Sequence, residues 1–358
     1  MASRFLDFRS DTVTRPTPGM RRAMAEAEVG DDVFRDDPTA NRFQQRLAEM
    51  LGKEDALFVP SGTMSNQIAV RVHCRPGDEI LCEAGCHVYN YEQGGAAQLS
   101  GVSVRPVEGT FGVLQPEQLA GLIRPDNEHL VRTRLVALEN THNRGGGRIL
   151  PVEGIQSICH WAHTNGLATH LDGARLFNAV VASGISAAEW AKPFDTVSVC
   201  FSKGMGAPVG SALVGPCDLI AQARRIRKLF GGGMRQIGVL TAACLYALDH
   251  HIDRLAEDHA HAQLLADTIQ SIDGLELRPA EVDTNLVIFS ISPELGTAVD
   301  LTSRLAAEGI GMIPFGPHLI RACLHLDLTT SDVETACRVL REVTSTPLTP
   351  AEVKASAY

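Results

Sequence analysis

The chain has 358 residues, 44% of them hydrophobic and 21% charged, which favours a folded protein of more than one domain and excludes a disordered or fibrous one. Its 42 acidic and 32 basic residues give a formal charge of -10, which disfavours nucleic acid and anionic membranes as partners. No apolar run approaches the roughly 20 residues of a membrane span, and the first residues lack the apolar core of a signal peptide. We therefore expect a cytoplasmic protein.

The N-terminal 30 residues contain Pro16, Pro18 and Gly19 in close succession, and we predict that they form an arm that packs elsewhere on the protein. Over residues 31–249, short β-rich runs alternate with helical segments. A helix is predicted over 39–51, and strands are predicted over 56–59, 79–82, 134–139, 167–171, 196–201 and 211–214. The pattern predicts a large three-layer α/β domain with a mainly parallel sheet.

From His250 onward the pattern changes. One long helix is followed by a strand over 285–291, a helix over 301–308, a strand over 319–326 and a helix from Ser331. This order predicts a smaller α+β domain over 250–344, followed by a loose tail over 345–358.

The cysteines point to neither disulfides nor a metal. Nine are scattered along the chain, and an odd number cannot all pair within it. Without a secretory signal, buried free thiols are the expected state. Cys82, Cys86 and His87 lie close in sequence, but no second group of ligands completes a tetrahedral site, so we predict no metal.

Lys203 directly follows the predicted strand over 196–201 and stands among small residues. A lysine amine forms Schiff bases with carbonyl compounds such as pyridoxal phosphate (PLP), and partial desolvation makes the neutral amine available. The alternative is a solvated lysine at the end of a strand.

Asp172 follows another predicted strand and stands three residues before Arg175. Because open α/β sheets bind ligands at the carboxyl ends of their strands, Asp172 and Lys203 are expected at the same edge. A carboxylate there can keep the pyridine nitrogen of PLP protonated, so that the ring accepts electrons. The alternative, an aspartate that caps the next helix, is less consistent with Lys203 nearby.

Ser61, Gly62 and Thr63 lie between a predicted strand and the next helix. Free N–H groups and the helix dipole favour an anion at such a position, and the glycine allows it a close approach. The motif is weak alone, because serine and threonine are also common helix caps. Because the motif follows a predicted strand, as Lys203 and Asp172 do, a phosphate-binding turn is favoured.

The motifs together resemble the low-specificity L-threonine aldolase family of PLP enzymes, which have the aspartate-aminotransferase-like fold type I. The resemblance is carried by residues 8–14 (FRSDTVT), 30–34 (GDDVF), 60–66 (PSGTMSN), 139–143 (ENTHN), 171–175 (LDGAR), 202–204 (SKG) and 231–236 (GGGMRQ). It implies reversible, PLP-dependent aldol cleavage of L-threonine, L-allo-threonine and related β-hydroxy-α-amino acids such as phenylserine to glycine and an aldehyde.

The resemblance also assigns roles to residues. Lys203 matches the Schiff-base lysine, Asp172 the carboxylate on the pyridine nitrogen, and His87 the histidine stacked on the cofactor ring. Further positions that match cofactor-binding residues are Ser61, Gly62, Thr63, Arg175, Lys228 and Arg235. Those that match substrate-binding residues are Ser10, Tyr91, His142, Arg175 and Arg321.

Lys228 and Arg235 match basic residues that a neighbouring subunit contributes, so the resemblance implies a shared active site in a homotetramer built as a dimer of dimers. The basic run Arg224, Arg225, Arg227 and Lys228 is predicted to be a mainly solvated helix face rather than a binding patch, with only Lys228 near the site.

Cleavage requires a base for the β-hydroxyl proton, and a histidine suits that task near neutral pH. A ring stacked flat on the cofactor, as implied for His87, is poorly aimed, so His142 is the predicted base. Alternatives are β-elimination, racemisation or transamination on the same fold, or PLP binding without turnover. A nucleotide-binding module without PLP is disfavoured, because no G-x-G-x-x-G follows the first strand.

Overall fold

The computed structural model describes residues 4–345, which form β-sheets flanked by helices. The predicted tail therefore lies outside the described residues, apart from Ser345. In chain order, the strands are β1 (Leu6–Asp7), β2 (Asp55–Val59), β3 (Asp78–Glu83), β4 (Ser103–Val107), β5 (Arg132–Glu139), β6 (Ala168–Gly173), β7 (Thr196–Cys200), β8 (Ser211–Gly215), β9 (Leu275–Leu277), β10 (Leu286–Ile291), β11 (Ile310–Gly311), β12 (Ile313–Pro314) and β13 (Leu319–Cys323).

The α-helices, in the same order, are α1 (Pro18–Ala25), α2 (Pro38–Met50), α3 (Gly62–His73), α4 (His87–Asn90), α5 (Gly95–Ser100), α6 (Pro116–Leu119), α7 (Val152–Thr164), α8 (Leu176–Ser183), α9 (Ala187–Ala191), α10 (Cys217–Leu229), α11 (Gly238–His250), α12 (Leu255–Gln270), α13 (Ala298–Ala307) and α14 (Thr330–Thr344). A 3-10 helix spans Asp11–Val13. Between residues 4 and 345, no helix is both long and apolar enough to cross a bilayer.

The larger sheet has seven strands in the order β2-β8-β7-β6-β5-β3-β4. The five strands from β7 to β4 are parallel neighbours, whereas β8 runs antiparallel to both β7 and β2. Apolar clusters cover both faces, and β7 and β8 are buried along their whole length. The predicted α/β fold with a mainly parallel sheet is confirmed.

All six strands predicted for this region form within two residues of their predicted bounds. Helix α2 begins one residue early, because Asp37 caps it by accepting from the Ala40 N–H at 2.9 Å and Pro38 suits its first position. Strand β4 was not predicted. It lies at the sheet edge, where exposure and Pro106 remove the apolar signal of a strand.

The smaller sheet is antiparallel, in the order β12-β13-β10-β9, and shares an apolar core with α12, α13 and α14. Leu6 and Phe8 belong to the same core, and β1 pairs with β11. The N-terminal segment thus packs on the C-terminal part of the chain, and the following helix, α1, packs on α11.

The structure corrects the prediction for two residues of the basic run on α10. Arg224 is half-buried, with Nη1 3.6 Å from Asp32 Oδ1. Arg227 is buried. Its Nη2 pairs with Asp32, and its Nη1 donates to the Phe58 carbonyl at 2.8 Å. Lys228, by contrast, is exposed as predicted. A buried arginine needs such partners, and local sequence does not reveal a partner almost 200 residues away.

Candidate active site

Asp172 and Lys203 are brought together by two neighbouring parallel strands. Asp172 is the last residue but one of β6, opposite Ser198 of β7, and Lys203 follows β7 by three residues. The Lys203 loop is anchored by Phe201, a buried ring in edge contact with Phe43 at 5.1 Å. Both functional side chains therefore stand at the carboxyl edge of the sheet, where the sequence predicts a ligand site.

The loop around Lys203 is held by its own backbone and by the N-terminal segment. The Gly206 N–H donates to the Lys203 carbonyl at 2.8 Å, and Thr14 Oγ1 donates to the same carbonyl at 2.9 Å. Gly206 has a φ of +76°, which favours glycine. Lys203 is half-buried, so part of its side chain is accessible.

Asp172 is a buried carboxylate that the site keeps ionised. Its Oδ2 accepts from Asn66 Nδ2 at 2.7 Å and its Oδ1 from the Ala174 N–H at 3.1 Å. Burial opposes ionisation, but the charges of His87 and Lys203 and the hydrogen bond from Asn66 outweigh it and lower the pKa of Asp172. An ionised carboxylate at this position suits a cationic partner.

His87 opens the short helix α4 beside this carboxylate. Its Nδ1 donates to Glu92 Oε1 at 2.8 Å, and its ring is tilted against Tyr91 with centroids 5.6 Å apart. Burial favours the neutral ring, but the hydrogen bond that His87 donates to Glu92 and the charge of Asp172 raise the pKa of His87. The ring is half exposed, and Tyr91 is exposed.

The predicted phosphate turn forms the N-terminus of α3, a helix of 12 residues. Ser61 caps it, with its hydroxyl accepting from the Met64 N–H at 3.2 Å, and Ser61 and Thr63 are exposed. A Cβ at Gly62 would stand 2.7 Å from Cys200 Sγ at the end of β7. Only glycine therefore lets this helix start so close to β7.

Arg175 is buried and committed to Asp11. Its Nε and Nη2 donate to the two carboxylate oxygens at 2.7 and 2.8 Å, which leaves Nη1 for another ligand. Burial opposes ionisation of Asp11, but the charge and hydrogen bonds of Arg175 hold the pKa of Asp11 far below its ordinary value. Ser10, next to this pair, accepts from the Thr12 N–H at 3.2 Å and caps the 3-10 helix.

Arg321 lies in β13 and reaches the same region from the smaller sheet. Its Nη1 donates to Asn143 Oδ1 at 3.0 Å and its Nη2 to the Arg9 carbonyl at 3.1 Å, while its guanidinium packs over the Phe315 ring at 5.1 Å. Its Nε is buried and has no hydrogen-bond partner within residues 4–345. An unsatisfied buried donor of this kind is suited to an anionic ligand.

Glu139, at the end of β5, joins the two sides of the site. Its Oε2 accepts from the His87 N–H at 2.6 Å, and its Oε1 accepts from the Asn143 N–H at 2.8 Å. The Glu139 carboxylate thereby sets the position of helix α4, which begins at His87, relative to the loop whose Asn143 accepts from Arg321.

His142 lies beneath this loop rather than at its surface. The Gly145 N–H donates to Nδ1 at 3.1 Å, and Nε2 lies 2.9 Å from Glu83 Oε2, at an angle poorer than that of a good hydrogen bond. Gly112 covers the ring so closely that a Cβ there would stand 2.1 Å from Cγ. The ring is 1% exposed. A substrate would not reach this ring without an intervening water or a shift of the loop.

Lys228 and Arg235 lie on the surface of the chain. Both are exposed, and Arg235 Nη1 pairs with Asp31 at 2.9 Å. Both residues are accessible to a neighbouring subunit.

Sequence reasoning missed several residues that hold the site together: Asp11, Asn66, Glu83, Glu92 and Glu139. Glu92, Asp172 and His87 place one oxygen or nitrogen each within 4.8 Å of one another. Asn66 Nδ2 donates to both carboxylates of this group, so their negative charges are stabilised by an amide and a histidine. Asp11, Asn66 and Glu139 lay within the motifs that carry the resemblance, and Glu92 lay within the segment around His87, residues 86–92.

PLP fits these residues. The amine of half-buried Lys203 and a buried, ionised carboxylate offer one partner for its aldehyde and one for its pyridine nitrogen. The N-terminus of α3 offers N–H groups for its phosphate, at a glycine that no larger residue could replace.

A model of the beta-eliminating lyase family matches residues 7–292, and the chain belongs to that family. More particularly, it is similar to low-specificity L-threonine aldolases. One from Arabidopsis thaliana is 45% identical over 338 residues, which are 93% of this chain and 94% of that protein. One from Escherichia coli K12 is 42% identical over 325 residues, 90% of this chain and 95% of that protein.

The fold has solved counterparts as well. The threonine aldolase of Leishmania major superposes with a TM-score of 0.82, covering 95% of this chain and all of that one at 21% identity. At that identity the similarity concerns the fold, which agrees with the predicted fold type.

Proposed function

We propose that this protein is a PLP-dependent aldolase that cleaves L-threonine, L-allo-threonine and related β-hydroxy-α-amino acids to glycine and an aldehyde. The observation that carries the proposal is the placement of Lys203 and ionised Asp172 at the carboxyl ends of neighbouring strands, with the turn at Gly62 on the same edge. The identity to low-specificity L-threonine aldolases over most of the chain supports it.

When bound, PLP supplies an electron sink for the bond that breaks. Lys203 would hold it covalently through Nζ, and Asp172 would keep its pyridine nitrogen protonated. The first N–H groups of α3, with Ser61 and Thr63, would hold its phosphate. His87, with Tyr91 beside it, would lie next to its ring.

The substrate carboxylate would bind between Arg321 and Arg175. Arg321 offers the unsatisfied Nε, and Arg175 offers Nη1, since Asp11 occupies the rest of its guanidinium. Ser10 would add a hydroxyl. Such a clamp fixes the bond to be cleaved relative to the cofactor, which is how orientation accelerates this class of reaction.

The hydroxyl proton requires an acceptor, and the structure leads us to a different assignment from that of the sequence. His142 is buried with Nδ1 occupied by Gly145, so we propose that it positions the loop carrying Asn143. His87 has the accessible ring, with Nδ1 fixed by Glu92, so its other nitrogen is proposed to accept the proton.

We further propose that Lys228 and Arg235 complete the site of a neighbouring subunit in a homotetramer. Their exposure supports this. A monomer by sedimentation that retained full activity would contradict it. Two further predictions stay proposals. One divides the chain into an arm over 1–30, a large domain over 31–249, a small domain over 250–344 and a tail over 345–358. The other is a location in the cytoplasm.

The function is tested by product analysis. PLP content is measured from the visible absorbance band and its loss with hydroxylamine, and the loaded protein is given L-threonine, L-allo-threonine and L-phenylserine. Aldol cleavage yields glycine and the matching aldehyde. Ammonia with a 2-oxo acid would indicate β-elimination, and a D-amino acid would indicate racemisation. If no product forms, the protein binds PLP without turnover.

A further inference from the structure

Asn66 is a buried amide whose hydrogen bonds are all used. Its Nδ2 donates to Asp172 Oδ2 at 2.7 Å and to Glu92 Oε1 at 2.8 Å, and its Oδ1 lies 3.1 Å from His170 Nε2. Because both amide hydrogens point to carboxylates, Oδ1 must be the acceptor and His170 Nε2 the donor. The orientation of the amide is therefore determined by its partners.

The chain of donors continues behind His170. Its Nδ1 lies 2.9 Å from Thr196 Oγ1, which in turn lies 2.9 Å from His73 Nε2. Burial lowers the pKa of both His170 and His73 to about 4, so both rings are neutral near pH 7. A neutral His170 that donates through Nε2 must accept at Nδ1 from the Thr196 hydroxyl, and Thr196 must accept from His73. Every donor in the chain thus points toward Asp172.

Asn66 also connects the parts of the site. It lies in α3, four residues after the phosphate turn at Gly62, and contacts Asp172 on β6 and the Glu92 carboxylate that fixes His87. Glu92 and Asp172 would repel each other in this buried setting, and the two amide donors offset that repulsion.

Resting on the PLP site proposed above, we propose that Asn66 is a positioning residue, which holds Asp172 ionised and aimed at the pyridine nitrogen while His170 and Thr196 keep the amide in its required orientation. Asp172 makes the contact with the cofactor, and Asn66 acts through it. The substitution that removes this action with the least change of shape is Asn66→Asp, which replaces two donors with a third carboxylate.

Gln67 supplies a matched control. It is the next residue of α3, is equally buried, and donates to the other oxygen of Glu92 at 2.6 Å, but no hydrogen bond joins it to Asp172 within residues 4–345. Gln67→Glu therefore makes the same amide-to-carboxylate change beside the same Glu92. An effect seen only in Asn66→Asp therefore comes from the contacts that Gln67 lacks, which are those with Asp172, His170 and the Glu92 oxygen that accepts from His87.

The experiment loads both variants and the wild type with PLP labelled with 15N in its ring and records the nitrogen chemical shift, together with the PLP Kd of each apoprotein. We expect a protonated ring nitrogen in the wild type and in Gln67→Glu. In Asn66→Asp we expect the shift to move toward the unprotonated value and PLP to bind about tenfold or more weakly, as loss of a charged hydrogen bond predicts.

A protonated ring nitrogen in Asn66→Asp, or an equal change in both variants, would overturn the proposal. If Asn66→Asp does not fold, Asn66→Ala removes the donors without adding charge and is expected to move the shift in the same direction. The nitrogen shift does not depend on turnover. A wild type that binds PLP with a protonated ring but cleaves no substrate would contradict the proposed function and leave this inference standing.

Discussion

His142 Nε2 lies 2.9 Å from Glu83 Oε2 in the interior of the protein, with the ring covered by Gly112. This pair places His142 under the loop that carries Asn143, and Asn143 in turn accepts from Arg321. The sequence predicts that His142 is the base. We propose instead that His142 positions the Asn143 loop, which helps to hold Arg321 for the substrate carboxylate.

We predict that His142→Ala keeps the PLP absorbance and raises KM for L-threonine about tenfold, because a weakened Asn143 contact loses one hydrogen bond to a charged group. The value of kcat should change less than about threefold by the same reasoning. Steady-state kinetics with L-threonine and L-allo-threonine measure both KM and kcat of the variant. A fall in kcat of about two orders of magnitude at unchanged KM would instead restore His142 as the base.

His87 should govern the acidic limb of the pH profile. A base must be unprotonated to act, and the pKa of His87 is raised above its ordinary 6.5, so kcat/KM is expected to rise with pH through a value above 6.5. Glu92→Gln removes the hydrogen-bonding carboxylate and should move this limb to lower pH. A limb that stays in place in Glu92→Gln would assign it to another group.

Arg321→Ala should raise KM strongly, since a charge-assisted contact to the substrate carboxylate is worth about 1.5–3 kcal/mol, or roughly 10- to 150-fold. Arg144→Ala is the matched control, because Arg144 packs over the same Phe315 ring at 4.8 Å but is exposed. KM should rise much less in the control, which instead loses the hydrogen bond from Arg144 Nη1 to the Tyr91 hydroxyl. Equal effects in both variants would show that the lost contact with Phe315 matters and the carboxylate lies elsewhere.

The Asp11–Arg175 pair should contribute to stability as well as to the site. Removing one partner leaves the other charge buried, so Asp11→Ala is expected to lower the free energy of unfolding by about 3–5 kcal/mol. The folded pKa of Asp11 is depressed below 3.8, so its stabilisation is present above that pH and is lost as pH falls toward the folded pKa.

Urea unfolding of the wild type and Asp11→Ala as a function of pH measures both effects. The difference between the two proteins should shrink below about pH 3.8, the unfolded pKa of Asp11. A difference that stayed constant down to pH 2 would show that packing, not the ion pair, is lost.

The sequence predicts the sheet and the ends of its strands well, because strands such as β7 and β8 are short, mostly apolar runs that are buried along their whole length. It also indicates Lys203 and Asp172, whose chemistry depends on their position after such strands. The strands that it missed, such as β1 and β4, are short or exposed and gain their pairing from distant segments.

The sequence also does not predict ion pairs between segments that are far apart in the chain. Asp32 with Arg227, and Glu83 with His142, join residues far apart in the chain, and no local pattern marks either partner. Buried charges acquire partners through the fold, which is why the accessibility of His142 could be judged only from the structure.

The central claim, that Lys203 and bound PLP perform an aldol cleavage, is tested most directly by giving L-threonine to the wild type and to Lys203→Ala side by side. The wild type should form glycine and acetaldehyde in equal amounts. Borohydride reduction should attach PLP to Lys203, and the variant should lose turnover by several orders of magnitude, because no other nucleophilic amine replaces it. A wild type that forms no glycine, an adduct on another lysine, or a variant with wild-type turnover would contradict the claim.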